Sequence, residues 1–113
     1  MKTNADMATP AAALLQSILD RAAEVGADSV DLEREPEGLE IMYVAGHTGV
    51  GGLLENRELE GPLFALIERR AGLRNKARGR FTWNVQGRSR TIAVEEYDSF
   101  GEVCFRLKLG PVR

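Results

Sequence analysis

The sequence predicts an α+β fold, one antiparallel sheet with helices packed on one face, in the order α-β-β-α-β-β-β. Three observations predict it. Two stretches repeat apolar residues at helical spacing, five stretches alternate with a period of two, and 113 residues supply one hydrophobic core rather than two. An apolar fraction of 43% with 28% charged residues is that of an ordinary folded domain and far from the composition of disorder. The single domain is assigned to residues 9–110, between a flexible N-terminus at 1–8 and a C-terminal tail at 111–113.

The elements follow in order. Thr9 can cap a first helix with Pro10 in its first turn, and Leu15, Ile18, Leu19 and Ala22 then recur along one face until Gly26 offers a left-handed stop. From Ser29 the period becomes two: Val30 and Leu32 alternate with Asp31 and Glu33. Pro36-Glu37-Gly38 turns the chain into a second strand, Leu39, Ile41 and Tyr43. Gly46 to Gly52 reads as a flexible glycine-rich loop. A second helix spans about Leu59 to Ala71, with acidic Glu58 and Glu60 at its start, Arg69 and Arg70 at its end and Gly72 as its stop. Phe81, Trp83 and Val85 then alternate with polar residues, Gln86-Gly87 makes a two-residue turn, and the return run sets Val85 opposite Arg88, Trp83 opposite Arg90 and Phe81 opposite Ile92. A cation–π pair between Arg90 and Trp83 is expected. Val103, Phe105, Leu107 and Leu109 form the last strand after a turn at Asp98 to Gly101.

Several kinds of chemistry lack their residues. A single cysteine, Cys104, and a single histidine, His47, rule out an internal disulfide and leave a zinc site short of ligands, and the metal-site and cofactor expectations are both none. Gly46 and Gly51 have the separation of a phosphate-binding loop, but Gly52 stands in the lysine position and Leu53 in the hydroxyl position. No apolar run approaches the ~20 residues of a membrane span and the first residues lack a secretory core, so a cytoplasmic location without membrane insertion is expected. No nucleophile, base and stabiliser converge in the sequence, and the protein is not expected to be an enzyme.

Charge is the more informative signal. Fifteen basic against seventeen acidic residues leave a net charge of −2, yet the two signs are segregated. Asp28, Asp31, Glu33, Glu35, Glu37 and Glu40 crowd the first hairpin, and alternation puts Asp31, Glu33 and Glu35 on one outer face, where a hard cation could be held although solvated surface is the plainer reading. Between residues 69 and 90 the chain carries Arg69, Arg70, Arg74, Lys76, Arg78, Arg80, Arg88 and Arg90 and no acid. Such a segment with Phe81 and Trp83 suggests single-stranded nucleic acid, but alternation places both aromatics on the buried side. An acidic protein surface or a phosphate group suits the patch better, and nucleic acid is not the expected partner.

The run Leu15 to Glu33, ending Gly26-Ala27-Asp28-Ser29-Val30-Asp31-Leu32-Glu33, resembles the helix and Gly-Ala-Ser-Asp-Ile-His-Ile-Glu signature of the type II secretion and type IV pilus assembly ATPases, in the domain that precedes their RecA-like motor. Gly79-Arg80-Phe81 through Gln86-Gly87-Arg88 is similar to that family's Gly-Arg-Phe hairpin, and Phe100-Gly101-Glu102 with Arg106 beyond it to its Tyr-Gly-Glu turn and closing strand. The likeness covers roughly residues 13–109. It implies a PAS-like fold that packs on a neighbouring motor domain and contributes arginines near nucleotide, with Arg80 the clearest carry-over. The sequence departs from the pattern at Asp31, where the family has histidine, and around Met42, Val44 and Ala93, where it has arginines. No Gly-x4-Gly-Lys-Ser/Thr follows Leu109, so ATP hydrolysis by this polypeptide is not expected.

The expected function is a stand-alone, non-catalytic protein-interaction or regulatory module related to these N-terminal domains. Its expected partner is a protein, a secretion or pilus motor component or a second copy of the chain. A PAS-like sensor for a small ligand or nucleotide is the first alternative, and single-stranded nucleic-acid binding through residues 69–90 the second. Arg78, Arg80, Arg88 and Arg106 are the candidate residues for a phosphate, ligand or partner.

Overall fold

The computed structural model describes residues 9–54 and 56–112, so the N-terminal segment expected to be flexible lies outside the described residues. Helix α1, Pro10–Glu24, begins where the Thr9 hydroxyl accepts the Ala12 N–H at 3.1 Å, and a left-handed Gly26 follows its end. Helix α2, Glu60–Ala71, is preceded by a 3-10 turn at Arg57–Leu59 and capped by left-handed Gly72. Each presents one apolar face: Leu15, Ile18, Leu19 and Ala22 from α1, and Leu63, Phe64, Leu66 and Ile67 from α2.

Among the described residues six strands complete the fold: β1 Ser29–Glu35, β2 Gly38–Ala45, β3 Thr48–Leu54, β4 Arg78–Val85, β5 Arg88–Ser99 and β6 Glu102–Val112. They form one antiparallel sheet in the order β3-β2-β1-β6-β5-β4. The β1–β6 pairing, Ser29 against Lys108 through Leu32 against Phe105, joins two local hairpin systems into one surface. Both helices cover the same side, where Val30, Leu32, Phe81, Trp83, Ile92, Phe105 and Leu107 meet them in one buried cluster. The α+β class and the helix-on-one-face arrangement agree with the sequence pattern.

Three expectations need correction. The glycine-rich segment is a strand: Thr48–Leu54 pairs along its length with β2, from Ala45–Thr48 to Leu39–Leu54. Gly46, with φ of 60°, opens the two-residue turn between them. With glycine at 49, 51 and 52 the strand shows no apolar alternation, and one glycine is required because a Cβ at Gly51 would lie 2.1 Å from the Ile41 carbonyl oxygen. Next, the ring of Trp83 carries Arg70 of α2 at 5.2 Å, not Arg90. Arg90 does face Trp83 in the strand register, but its Nε donates to the Gly110 carbonyl at 2.8 Å. Finally, Pro111 and Val112 belong to β6 rather than to a tail, beyond an irregularity in which Arg90 opposes Val112 while Ile92 opposes Leu109.

Candidate functional site

Alternation along five strands builds the helix-free face from the residues the core does not use. Cross-strand register sets Arg78, Glu95, Arg106, Asp31 and Met42 in one row from β4 to β2, and Arg80, Ala93, Lys108, Ser29 and Val44 in the next. Basic side chains therefore gather over β4 and β6, and acidic ones over β1 and β2. At the seam Arg106 makes two contacts with Asp31, Nε to Oδ1 at 2.8 Å and Nη2 to Oδ2 at 3.3 Å, and lies 5.4 Å from the Tyr97 ring centre. The Asp31 hydrogen bond strengthens the hold of Arg106 on its proton. Tyr97 donates its hydroxyl to Glu33 at 2.9 Å. Burial first, then that hydrogen bond and the nearby carboxylates, pushes the Tyr97 hydroxyl well above its usual range.

Of the four arginines singled out from the sequence, three share this face. Arg78 and Arg106 line a shallow depression of about 230 Å³ with Ala93, Glu95 and Lys108, and Arg80 stands in the adjoining row. Arg88 does not join them. It pairs with buried Val85, which puts it on the helix side of the sheet beside the Gln86-Gly87 turn. Arg78 is held by Glu95 at 3.1 Å and Arg106 by Asp31, so these two guanidiniums arrive already partnered. Lys108 was not singled out by sequence reasoning, since only pairing with Ala93 reveals that it lies between Arg80 and the seam.

Asp31, Met42, Val44 and Ala93 fall on the open face, in the two rows just described. At its acidic end Glu33, Glu35 and Glu40 bring carboxylate oxygens within 4.8 Å of one another. These three are partly solvated, and Glu33 is engaged by Tyr97.

Other candidate chemistry disperses. Cys104 is buried beneath the open face, and burial pushes its thiol up, while His47 lies in the β2–β3 turn, beyond the Ala45–Thr48 pair. Cys104 pairs with Tyr97 at the Glu33 end of the sheet, away from the β2–β3 turn, so Cys104 and His47 do not meet. Phe81 and Trp83 are buried on the helix side, packed edge to face at 5.9 Å, and offer no platform for bases. The remaining basic residues Arg69, Arg74 and Lys76 border an open depression at the end of α2 together with Glu68 and Glu96.

Two apolar features lie apart from the charged face. On the helix side, Val25, Ile41, Tyr43 and Val50 line a groove of about 500 Å³ where the β2–β3 wing extends past α1. At the tip of the β5–β6 hairpin Phe100 is fully exposed and held at φ of 53°, an unfavourable region for an aromatic residue. No family model and no curated protein matches the chain. Among the described residues no helix is long and apolar enough to cross a membrane.

Proposed function

We propose that the chain is a non-catalytic protein-interaction module, related to the N-terminal domains of secretion and pilus ATPases, that docks a protein partner on the open face of its sheet. The observation that carries this reading is the segregated charge of that face, basic over β4 and β6 and acidic over β1 and β2, with the Asp31–Arg106 pair at the seam. A partner of complementary pattern is oriented by both halves at once, and like-charge contact rejects the reversed orientation. The substituted positions support the same reading. Met42, Val44 and Ala93 give the face small and apolar contact area where the resembled family would place arginines, which suits a protein surface better than a polyphosphate. A secretion or pilus motor component is the partner class that the resemblance suggests.

The test is a photo-cross-linking residue placed at Ala93, used in cells in wild-type and R78E/R80E backgrounds. The expected result is one discrete protein adduct, identified by mass spectrometry, that charge reversal removes. An adduct that persists after charge reversal, or none in either background, overturns the reading.

A further inference from the structure

Strand β3 ends the sheet on one side, and no element covers its outer edge among the described residues. Natural sheets protect such edges with charges, proline or short length, yet Thr48–Leu54 carries no charge and no proline over seven residues. Its side chains are uneven. Val50 is 69% exposed on the helix side and Leu53 is 52% exposed on the open face, while Gly49, Gly51 and Gly52 present none. Around Gly52 there is open space for a Cβ.

We infer that β3 pairs with β3 of a second copy of the chain, antiparallel and centred on Gly51, to make one continuous sheet across a twofold axis. The sequence is self-complementary in that register and no other occupant is needed to explain it. Val50 of each copy lies beside Gly52 of the other on the helix side, and Leu53 beside Gly49 on the open face, so both exposed apolar side chains meet a position without one, while Thr48 lies beside Leu54 at each end. Backbone geometry agrees. A two-residue turn makes Ala45 and Thr48 a hydrogen-bonded pair, and alternation then directs the peptide groups of Gly49, Gly51 and Leu53 away from β2, toward the incoming strand. An uncharged strand also raises no like-charge barrier against its own copy, and an isologous contact of this kind closes as a dimer. The interface goes beyond the docking reading, because it uses the edge and leaves the charged face free.

Analytical ultracentrifugation over a wide concentration range tests it on the full chain. Wild type is expected to dimerise, and V50K and G52V each to raise the dimer dissociation constant about tenfold or more. The double variant V50G/G52V exchanges knob and hole and is expected to restore pairing, a result that general weakening of the strand would not give. Hydrogen exchange should show the amides of Gly49, Gly51 and Leu53 slowing as concentration rises. A monomeric wild type, a dimer indifferent to V50K and G52V, or a double variant that stays monomeric overturns the inference. Loss of dimerisation with the Ala93 cross-link intact would leave the docking reading standing, and the reverse outcome would separate them equally well.

Discussion

The sheet has two edges, and the chain treats them in opposite ways. At β4 the helices reach down and occupy the rim: Gln16 donates to the Asn84 carbonyl at 2.7 Å, Arg70 contacts the Thr82 carbonyl at 3.4 Å, and the Asp20 carboxylate accepts the Gln86 N–H at 2.8 Å. The Trp83 indole donates back to Gln16 at 3.0 Å, and α2 comes so close that a Cβ on Gly79 would sit 2.1 Å from the Ala71 carbonyl oxygen. At β3 no helix side chain forms a hydrogen bond among the described residues, and the strand shows glycine, Val50 and Leu53 to solvent. One edge is closed by the molecule's own polar side chains. The other retains its capacity to pair, which marks it as the edge where association is to be sought.

The contrast can be broken most strongly from the closed side. Trp83→Ala removes a buried indole and frees Gln16, and should cost about 3–5 kcal/mol in denaturant unfolding. Gly79→Ala forces the Ala71 carbonyl away from β4 and should cost about 1–3 kcal/mol by the same measurement. The matching change on the open edge, Gly51→Ala, meets the Ile41 carbonyl equally closely. It should act locally: hydrogen exchange should quicken at β2–β3 amides while the β4–β6 amides keep their protection. Gln16→Ala strips two hydrogen bonds from the β4 rim and should lower stability by about 1 kcal/mol, with little change in the far wing. Val50→Lys should leave monomer stability within about 0.5 kcal/mol of wild type, because nothing in the core depends on that side chain. A large loss from Val50→Lys, or none from Trp83→Ala, would erase the distinction between the edges.

Where side chains alternate, the fold was legible in advance. The pairing of Phe81 with Ile92 and Val85 with Arg88 followed from one turn dipeptide and strict period two, and both hold in the sheet. The left-handed stops at Gly26 and Gly72 were legible for the same kind of reason, since few residues tolerate that backbone. Strand β3 was not legible. Glycine at three of its seven positions removes the side-chain signal, and its strand character comes from the β2 backbone beside it. The partner of Trp83 was missed for a different reason: register correctly placed Arg90 opposite, but the Gly110 carbonyl holds its guanidinium and Arg70 of the helix layer takes the ring. Within the candidate site, the segregation of charge could be read along the chain, whereas Lys108 and the Asp31–Arg106 seam could not.

The sequence by itself determined the α+β class, the capped helices, the hairpins of the last third and the two opposed clusters of charge, because each rests on spacing over a few residues. Tertiary structure decided which charges meet. Asp31 and Arg106 are 75 residues apart and become neighbours only when β6 enters between β1 and β5. It also decided which edge is closed, since helix side chains from two separate segments reach β4 and not β3. Both outcomes depend on how long-range strand order places distant segments, a choice that local periodicity does not encode.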